Sequence, residues 1–198
     1  MDSAGWDTRY RASELVWGGE PNRFVAEELT GTPPGRALDI GAGEGRNAIW
    51  LAGLGWQVTA VDFSAVAVDR ARRLAERQGV TVDCVVADLR DYQPASAVFD
   101  AVVVAYLHLP PADLNMVLSR AARALAPGGL ILVVGHDVTN IDQGTGGPQD
   151  PGILYSPPGI VAALAGLNVR RADRVRRPVA TERGMVDAID TLVCAVRE

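Results

Sequence analysis

The stretch LDIGAGEGRN, residues 38–47, sets three glycines at alternate positions behind an apolar run interrupted by an aspartate. Glycine accepts the left-handed dihedrals of a tight strand-to-helix turn and lets a ligand approach the backbone closely. The stretch therefore predicts a strand, a nucleotide-holding loop and a helix. A dinucleotide fingerprint needs G-x-G-x-x-G, the third glycine allowing close helix packing. Here Gly41, Gly43 and Gly45 are followed by Arg46, which disfavours NAD. No Gly-Lys-Ser/Thr follows, so a P-loop is disfavoured as well.

Outward from this loop, apolar runs suited to buried strands alternate with segments of helical period, the pattern of a parallel sheet covered by helices on both faces. Strands are expected near 36–40, 57–62, 80–86, 98–105, 129–135, 168–176 and 189–197. Runs such as VFDAVVVA (98–105) and GLILVVG (129–135) lack the alternation of a half-exposed strand. Helices are expected over 46–54, over 65–78 with Ser64 as N-cap, from Pro111 to about 126, and from Pro157. The fold class is thus α/β, Rossmann-like, with seven mostly parallel strands in one domain over 1–198. That domain divides into a cap segment (1–34), a cofactor-binding core (35–136), a loop (137–158) and a C-terminal helix and strands (159–198). The loop is Gly/Pro-rich, without periodicity and too long for an ordinary connection, which suggests a lid.

At this point the residues resemble a known family. Asp39-Ile40-Gly41-Ala42-Gly43-Glu44-Gly45 is similar to the first motif of class I S-adenosylmethionine-dependent methyltransferases. Asp62 closing VTAVD, Asp88 in VVADLRD and LAPGGLILVV (125–134) follow in that family's order, so the resemblance covers roughly 35–136. It implies S-adenosylmethionine as cofactor and S-adenosylhomocysteine as product. It also implies cofactor contacts from Asp39, Gly41, Ala42, Gly43, Gly45, Asn47, Asp62, Phe63, Asp88, Leu89, Tyr106 and Trp17. Independently of it, an acidic residue at the end of the second strand is placed to accept from both ribose hydroxyls, which assigns Asp62. By resemblance Asp88 accepts from the adenine amino group with the Leu89 backbone beside it, and Asp39 supports the loop or the methionine ammonium.

Trp6-Asp7-x-Arg9-Tyr10 and Trp17-Gly18-x-x-Pro21-Asn22 resemble the opening of the small tellurite-resistance and thiopurine-type methyltransferases, the TehB-like group. That resemblance implies a small sulfur, selenium or tellurium acceptor. Trp17 is the candidate for a cation–π contact to the sulfonium, worth about 0.5–2 kcal/mol. Trp6, Tyr10 and Trp17 serve equally well to staple an N-terminal helix to the body.

In open α/β sheets ligands lie beyond the carboxyl ends of the strands. Tyr106, His108 and His136 fall there and are the candidate catalytic residues; both histidines of the chain are among them. Tyr10, Trp17, His108, His136 and Tyr155 are the candidate acceptor-binding residues, and Asp137 is placed to help orient the acceptor beside His136. A thiolate acceptor needs no base, whereas an alcohol or amine does. O- or N-methylation of a small metabolite, and a non-catalytic S-adenosylmethionine-binding protein, stay open as alternatives.

Charge and composition bound the rest. With 198 residues, 48% of them hydrophobic, the chain has ample material for one core. A formal net charge of −5 argues against a surface that neutralises phosphates, so nucleic acid is not expected as a partner. The strand-four edge Ala105-Tyr106-Leu107-His108 lacks the Asn/Asp-Pro-Pro-aromatic motif that amine methylation of DNA or protein implies by resemblance. Asp137, Asn140 and Asp142 read as a solvated loop, and no metal is expected. Cys84 and Cys194, far apart in apolar stretches, read as buried free thiols. No apolar leader or membrane-length run appears, which gives the expectation of a cytoplasmic protein that does not engage the membrane.

Overall fold

The computed structural model describes residues 3–12, 15–16, 18–182 and 184–198. In chain order its elements are α1 (Ser3–Arg11), α2 (Arg23–Leu29), β1 (Arg36–Ile40), α3 (Arg46–Gly53), β2 (Gln57–Asp62), α4 (Ala65–Arg77), β3 (Val82–Val86), β4 (Phe99–Ala105), α5 (Pro111–Ala124), β5 (Leu125–His136), α6 (Asn140–Gln143), a 3₁₀ turn (Pro151–Ile153), α7 (Pro157–Ala163), β6 (Asn168–Thr181) and β7 (Gly184–Val196). The seven strands form one sheet in the order β3-β2-β1-β4-β5-β7-β6. β1 to β5 pair in parallel, while β7 runs antiparallel to both neighbours. The strand order turns back between β1 and β4, and ligands of such sheets lie at this switch point.

Alternate residues of the central strands feed two cores, which explains the unbroken apolar runs. Leu38, Ile40, Val102, Val104, Ile131 and Val133 face α5 and α7, packing on Leu114, Leu118 and Ile160. Ala37, Ala101, Val103, Leu132 and Val134 face the other layer, with Phe24 and Leu29 of α2, Leu51 of α3 and Ala71 of α4. Ser64 caps α4, accepting from Ala67 N at 3.1 Å, as its position in the sequence predicts.

Two regions depart from the expected boundaries. β5 begins at Leu125, which pairs with Phe99, and the ladder slips before resuming at Ala101–Leu130. The Pro-Gly-Gly turn therefore interrupts a longer strand and does not precede it. The 137–158 segment is tied at both ends: Val138 N donates to Tyr155 O at 2.8 Å and Tyr155 N to His136 O at 2.9 Å. Asp137 and Asn140 are fully buried within it. Among the described residues no helix is long and apolar enough to cross a membrane.

Candidate active site

The side expected to hold the donor is built around the glycine loop. Gly41, Gly43 and Gly45 have φ of 70°, 56° and 79°, the left-handed region where a side chain is strained. A Cβ on Gly43 would lie 2.8 Å from the Tyr10 hydroxyl, and one on Gly45 2.9 Å from Ala71 Cβ. The second clash shows what the third glycine does: it lets α3 and α4 approach. Asp62 receives Gly43 N on one oxygen and Ser64 N on the other, each at 2.9 Å, so its carboxylate fixes both the loop and the start of α4. Burial raises its proton affinity against those amide bonds.

Asp39 lies fully buried with Oδ2 lacking any hydrogen-bond partner. Burial pushes its carboxyl up to about 7, against the opposing pull of the Ala48 amide and the Arg46 charge. Phe63 sits half-buried just past β2. Asp88 follows β3, where it holds Arg90 through side-chain bonds of 2.5–3.1 Å that lower its pKa. Leu89 beside it belongs to the core.

The N-terminal segment closes over this side. Ser64 Oγ donates to Asp7 Oδ1 of α1, and buried Glu44 accepts from Val16 N at 2.8 Å while pairing with Arg70 at 2.8 Å. Asn47 corrects an expectation: its Oδ1 accepts from Asn22 N at 2.8 Å, and Asn22 in turn caps α2. That oxygen braces the cap segment and is not presented to a cofactor. Trp17 lies outside the described residues. Tyr10, expected on the acceptor side, is buried with its hydroxyl close against Gly43 of the glycine loop.

The side expected to hold the acceptor gathers residues from distant parts of the chain. Tyr106, with φ 56°, is held in the left-handed region beyond β4, and Tyr106 N donates to Val134 O at 2.7 Å. Such strain in a non-glycine residue clusters at functional sites. Its hydroxyl donates to Asp190 Oδ2 at 2.7 Å, and Arg177 Nε reaches the same oxygen at 2.8 Å. The register sets Asp190 directly opposite His136. His136 Nδ1 stands 3.2 Å from Asp190 Oδ1, within ion-pair reach but off the line of a straight hydrogen bond.

The two imidazoles stack, with centroids 5.5 Å apart and planes 14° from parallel, and the Tyr106 ring meets His136 edge-on at 5.0 Å. His108 Nδ1 donates to Ile153 O at 3.0 Å, which leaves a lone pair on a buried, unpartnered Nε2. Burial, aided by His136, drives its pKa down to about 4, so His108 is neutral near pH 7.

Two more expectations are corrected here. Tyr155 is buried, its hydroxyl donates to Leu107 O, and its ring covers Gly135, where a Cβ would lie 2.5 Å away. It is a floor beneath His108, with its one hydroxyl proton already given to Leu107 O. Asp137 accepts from Thr139, Thr191 Oγ1 and Arg174, all at 2.6–2.9 Å, and those bonds hold its pKa low. Thr191 alternates with Asp190 along β7, so Asp137 latches the opposite sheet face and does not orient an acceptor.

Asp190, Arg177, Arg46 and Glu44 were not singled out individually from the sequence. Asp190 had a readable signal, being the one charged residue in AIDTLVCAV (188–196); a carboxylate buried there needs a partner. Arg46, desolvated at the start of α3 and therefore lowered in pKa, feels the charges of Tyr106, Asp39 and Arg177 and links the two sides.

A family described as methyltransferase domain matches residues 37–129. The chain is 34% identical over 103 residues to the tRNA 5-carboxymethoxyuridine methyltransferase of Escherichia coli strain K12, a match covering 48% of this chain and 38% of that protein. It thus spans well under two thirds of that relative's length.

Among solved structures, one described for conversion of a disulfide bond into a thioacetal group during echinomycin biosynthesis matches with TM-score 0.80 and 24% identity, covering 99% of this chain and 91% of the other. TehB from Haemophilus influenzae matches with TM-score 0.75 and 15% identity, covering 100% and 68%. These likenesses bear out the expected fold. The methyltransferase class and the S-adenosylmethionine donor read from the domain's motifs agree with the matches.

The exclusion of nucleic acid is corrected, because a relative is named for tRNA. Net charge averages over a whole surface and cannot speak for one face of it.

Proposed function

We propose that the protein transfers a methyl group from S-adenosylmethionine to a small acceptor carrying a protic chalcogen, a thiol foremost. The observation that carries this reading is the enclosed cluster at the strand ends: His108, His136, Tyr106, Arg177 and Asp190 beside a glycine loop whose Asp39 Oδ2 has no protein partner. An orphaned buried acceptor fits an ammonium, and a loop stripped of Cβ atoms fits close backbone approach, so the residues suit the donor. Asp39 would hold the ammonium and Asp62, with a lone pair to spare on each oxygen, the ribose. Phe63 and Leu89 would flank the base, and Asp88 would take the adenine amino group while sharing its charge with Arg90.

When bound, S-adenosylmethionine supplies a methyl on a sulfonium that is already an activated leaving group. What remains for the chain is to position the acceptor, exclude water and receive a proton; positioning alone supplies as much as about 7–11 kcal/mol in well-oriented reactions. A sulfur acceptor draws support from the N-terminal motif and from the neighbour described for thioacetal formation. The small, buried character of the cluster supports a small acceptor.

The test is transfer of labelled methyl to a panel of thiols, selenite and tellurite species, phenols, carboxylates, amines and unmodified tRNA. Label on sulfur or a heavier chalcogen is the expected result. Label confined to oxygen, nitrogen or tRNA overturns the acceptor assignment, and donor binding without any transfer overturns the catalytic one.

A further inference from the structure

We propose that Asp190 is a positioning residue that holds His136 with Nδ1 protonated and turned inward, leaving Nε2 to take the acceptor's proton. The inference rests on the methyl-transfer reading and deepens it: the acceptor arrives bearing its proton.

Asp190 is fully buried in β7. A carboxylate in that place is strongly penalised unless well paired. If its purpose were only to neutralise Arg177, a two-pronged fork using both oxygens would be the strongest arrangement. The observed arrangement differs: Arg177 Nε and the Tyr106 hydroxyl both meet Oδ2, leaving Oδ1 to His136.

The ring of His136 is otherwise confined. His108 stacks on it, Tyr106 meets it edge-on, and Gly147 approaches so closely that a Cβ there would lie 2.7–2.8 Å from the ring. With the ring plane fixed by these contacts, the choice of which nitrogen carries the proton falls to Asp190. The charged and titratable groups facing His136 are Asp190 and Arg177 from the C-terminal strands and Tyr106 and His108 after β4, with Arg46 acting on Tyr106. His108 is a poor base, since its burial favours the neutral ring.

The step balances. The acceptor's X–H bond gives its proton to His136 Nε2 and leaves its electron pair on X, which forms the new bond to the methyl carbon; the pair of the old bond stays on the donor sulfur. The resulting imidazolium is stabilised by the Asp190 carboxylate and passes its proton to solvent.

The chain has two histidines, so their ring signals are separable by nuclear magnetic resonance, His136→Gln assigning them. In Asp190→Asn the neutral His136 ring should lose its preference for the proton on Nδ1, read from its ring nitrogen shifts, with the tautomer of His108 unchanged. The ratio kcat/KM should drop about 100-fold, with affinity for S-adenosylhomocysteine kept. Tyr106→Phe, which removes a competing donor and leaves the carboxylate in place, should keep the His136 proton on Nδ1 and serves if Asp190→Asn fails to fold.

A His136 tautomer unchanged in Asp190→Asn, or the proton found on Nε2 in the wild type or in Tyr106→Phe, overturns the inference, as does a kcat/KM loss in Asp190→Asn matched by an equal loss of S-adenosylhomocysteine affinity. Failure of the underlying reading looks different: the wild type would transfer no methyl to any acceptor while the Nδ1 tautomer and its dependence on Asp190 persisted.

Discussion

The two sides of the site are made in contrasting ways. Residues 39 to 64 build most of the donor side within one β-turn-α-β stretch, where backbone amides and glycine dihedrals do the holding. The opposite side draws Tyr106 from just beyond β4, His136 from the end of β5, Arg177 from within β6 and Asp190 from within β7, and holds them by side-chain pairs up to 84 residues apart. A local loop is fixed as soon as its strand and helix form. A cluster of remote charges exists only when the whole sheet has closed, and its members depend on one another.

This contrast can be broken most severely at Asp62. Asp62→Ala removes the acceptor for two backbone amides and, on the proposed reading, for the ribose. Each charged hydrogen bond is worth about 1.5–3 kcal/mol, so calorimetry should show donor affinity lower by about 10- to 150-fold. Unchanged affinity would remove the ribose assignment.

Asp39 sharpens the comparison through pH. Its folded carboxyl titrates near 7, above its unfolded value, so the folded state binds the extra proton between about pH 4 and 7. Stability from this group is therefore greatest below that window, falls as pH rises through it, and stays at its lowest above about 7. Asp39→Asn should stabilise the donor-free protein at pH 8 by about 1–2 kcal/mol in denaturant melts and by little at pH 4, while weakening donor binding. Equal effects at both pH values would contradict the burial account.

Gly43→Ala combines a left-handed φ of 56° with a Cβ 2.8 Å from the Tyr10 hydroxyl. It should cost about 1–2 kcal/mol of stability and loosen the α1 cap, read as faster proteolysis near residue 12. The smallest effect is expected at Asn47. Asn47→Ala should lower stability by about 1 kcal/mol through the stranded Asn22 amide yet leave donor affinity near wild type. A large affinity loss there would restore it as a cofactor contact.

Much of the fold was legible because buried parallel strands write themselves as unbroken apolar runs and helices announce their starts. Ser64 and Pro157 are both where such reading puts them. The geometry of the glycine loop was legible for the same local reason: Gly41, Gly43, Gly45, Asp39 and Asp62 lie within a few residues of the strand ends that place them. Asn47 misled because closeness to the motif says nothing about the direction of an amide that Asn22 claims.

Tyr155 misled because a Gly/Pro-rich segment reads as open. In the structure Asp137 and Tyr155 form a parallel bridge that draws the segment's end inward. Asp190 was passed over because its partners, Tyr106 and Arg177, sit 84 and 13 residues away, and nothing in a linear pattern marks them as neighbours.

The central claim is that the two sides are energetically separate, the donor held by one and the proton handled by the other. A double-mutant cycle of Asp62→Ala and Asp190→Asn, read as S-adenosylhomocysteine affinity by calorimetry, tests it most directly. The account predicts a large effect from the first substitution, almost none from the second, and a coupling below about 0.5 kcal/mol. A coupling above about 1 kcal/mol, or a loss in Asp190→Asn equal to that in Asp62→Ala, would contradict it.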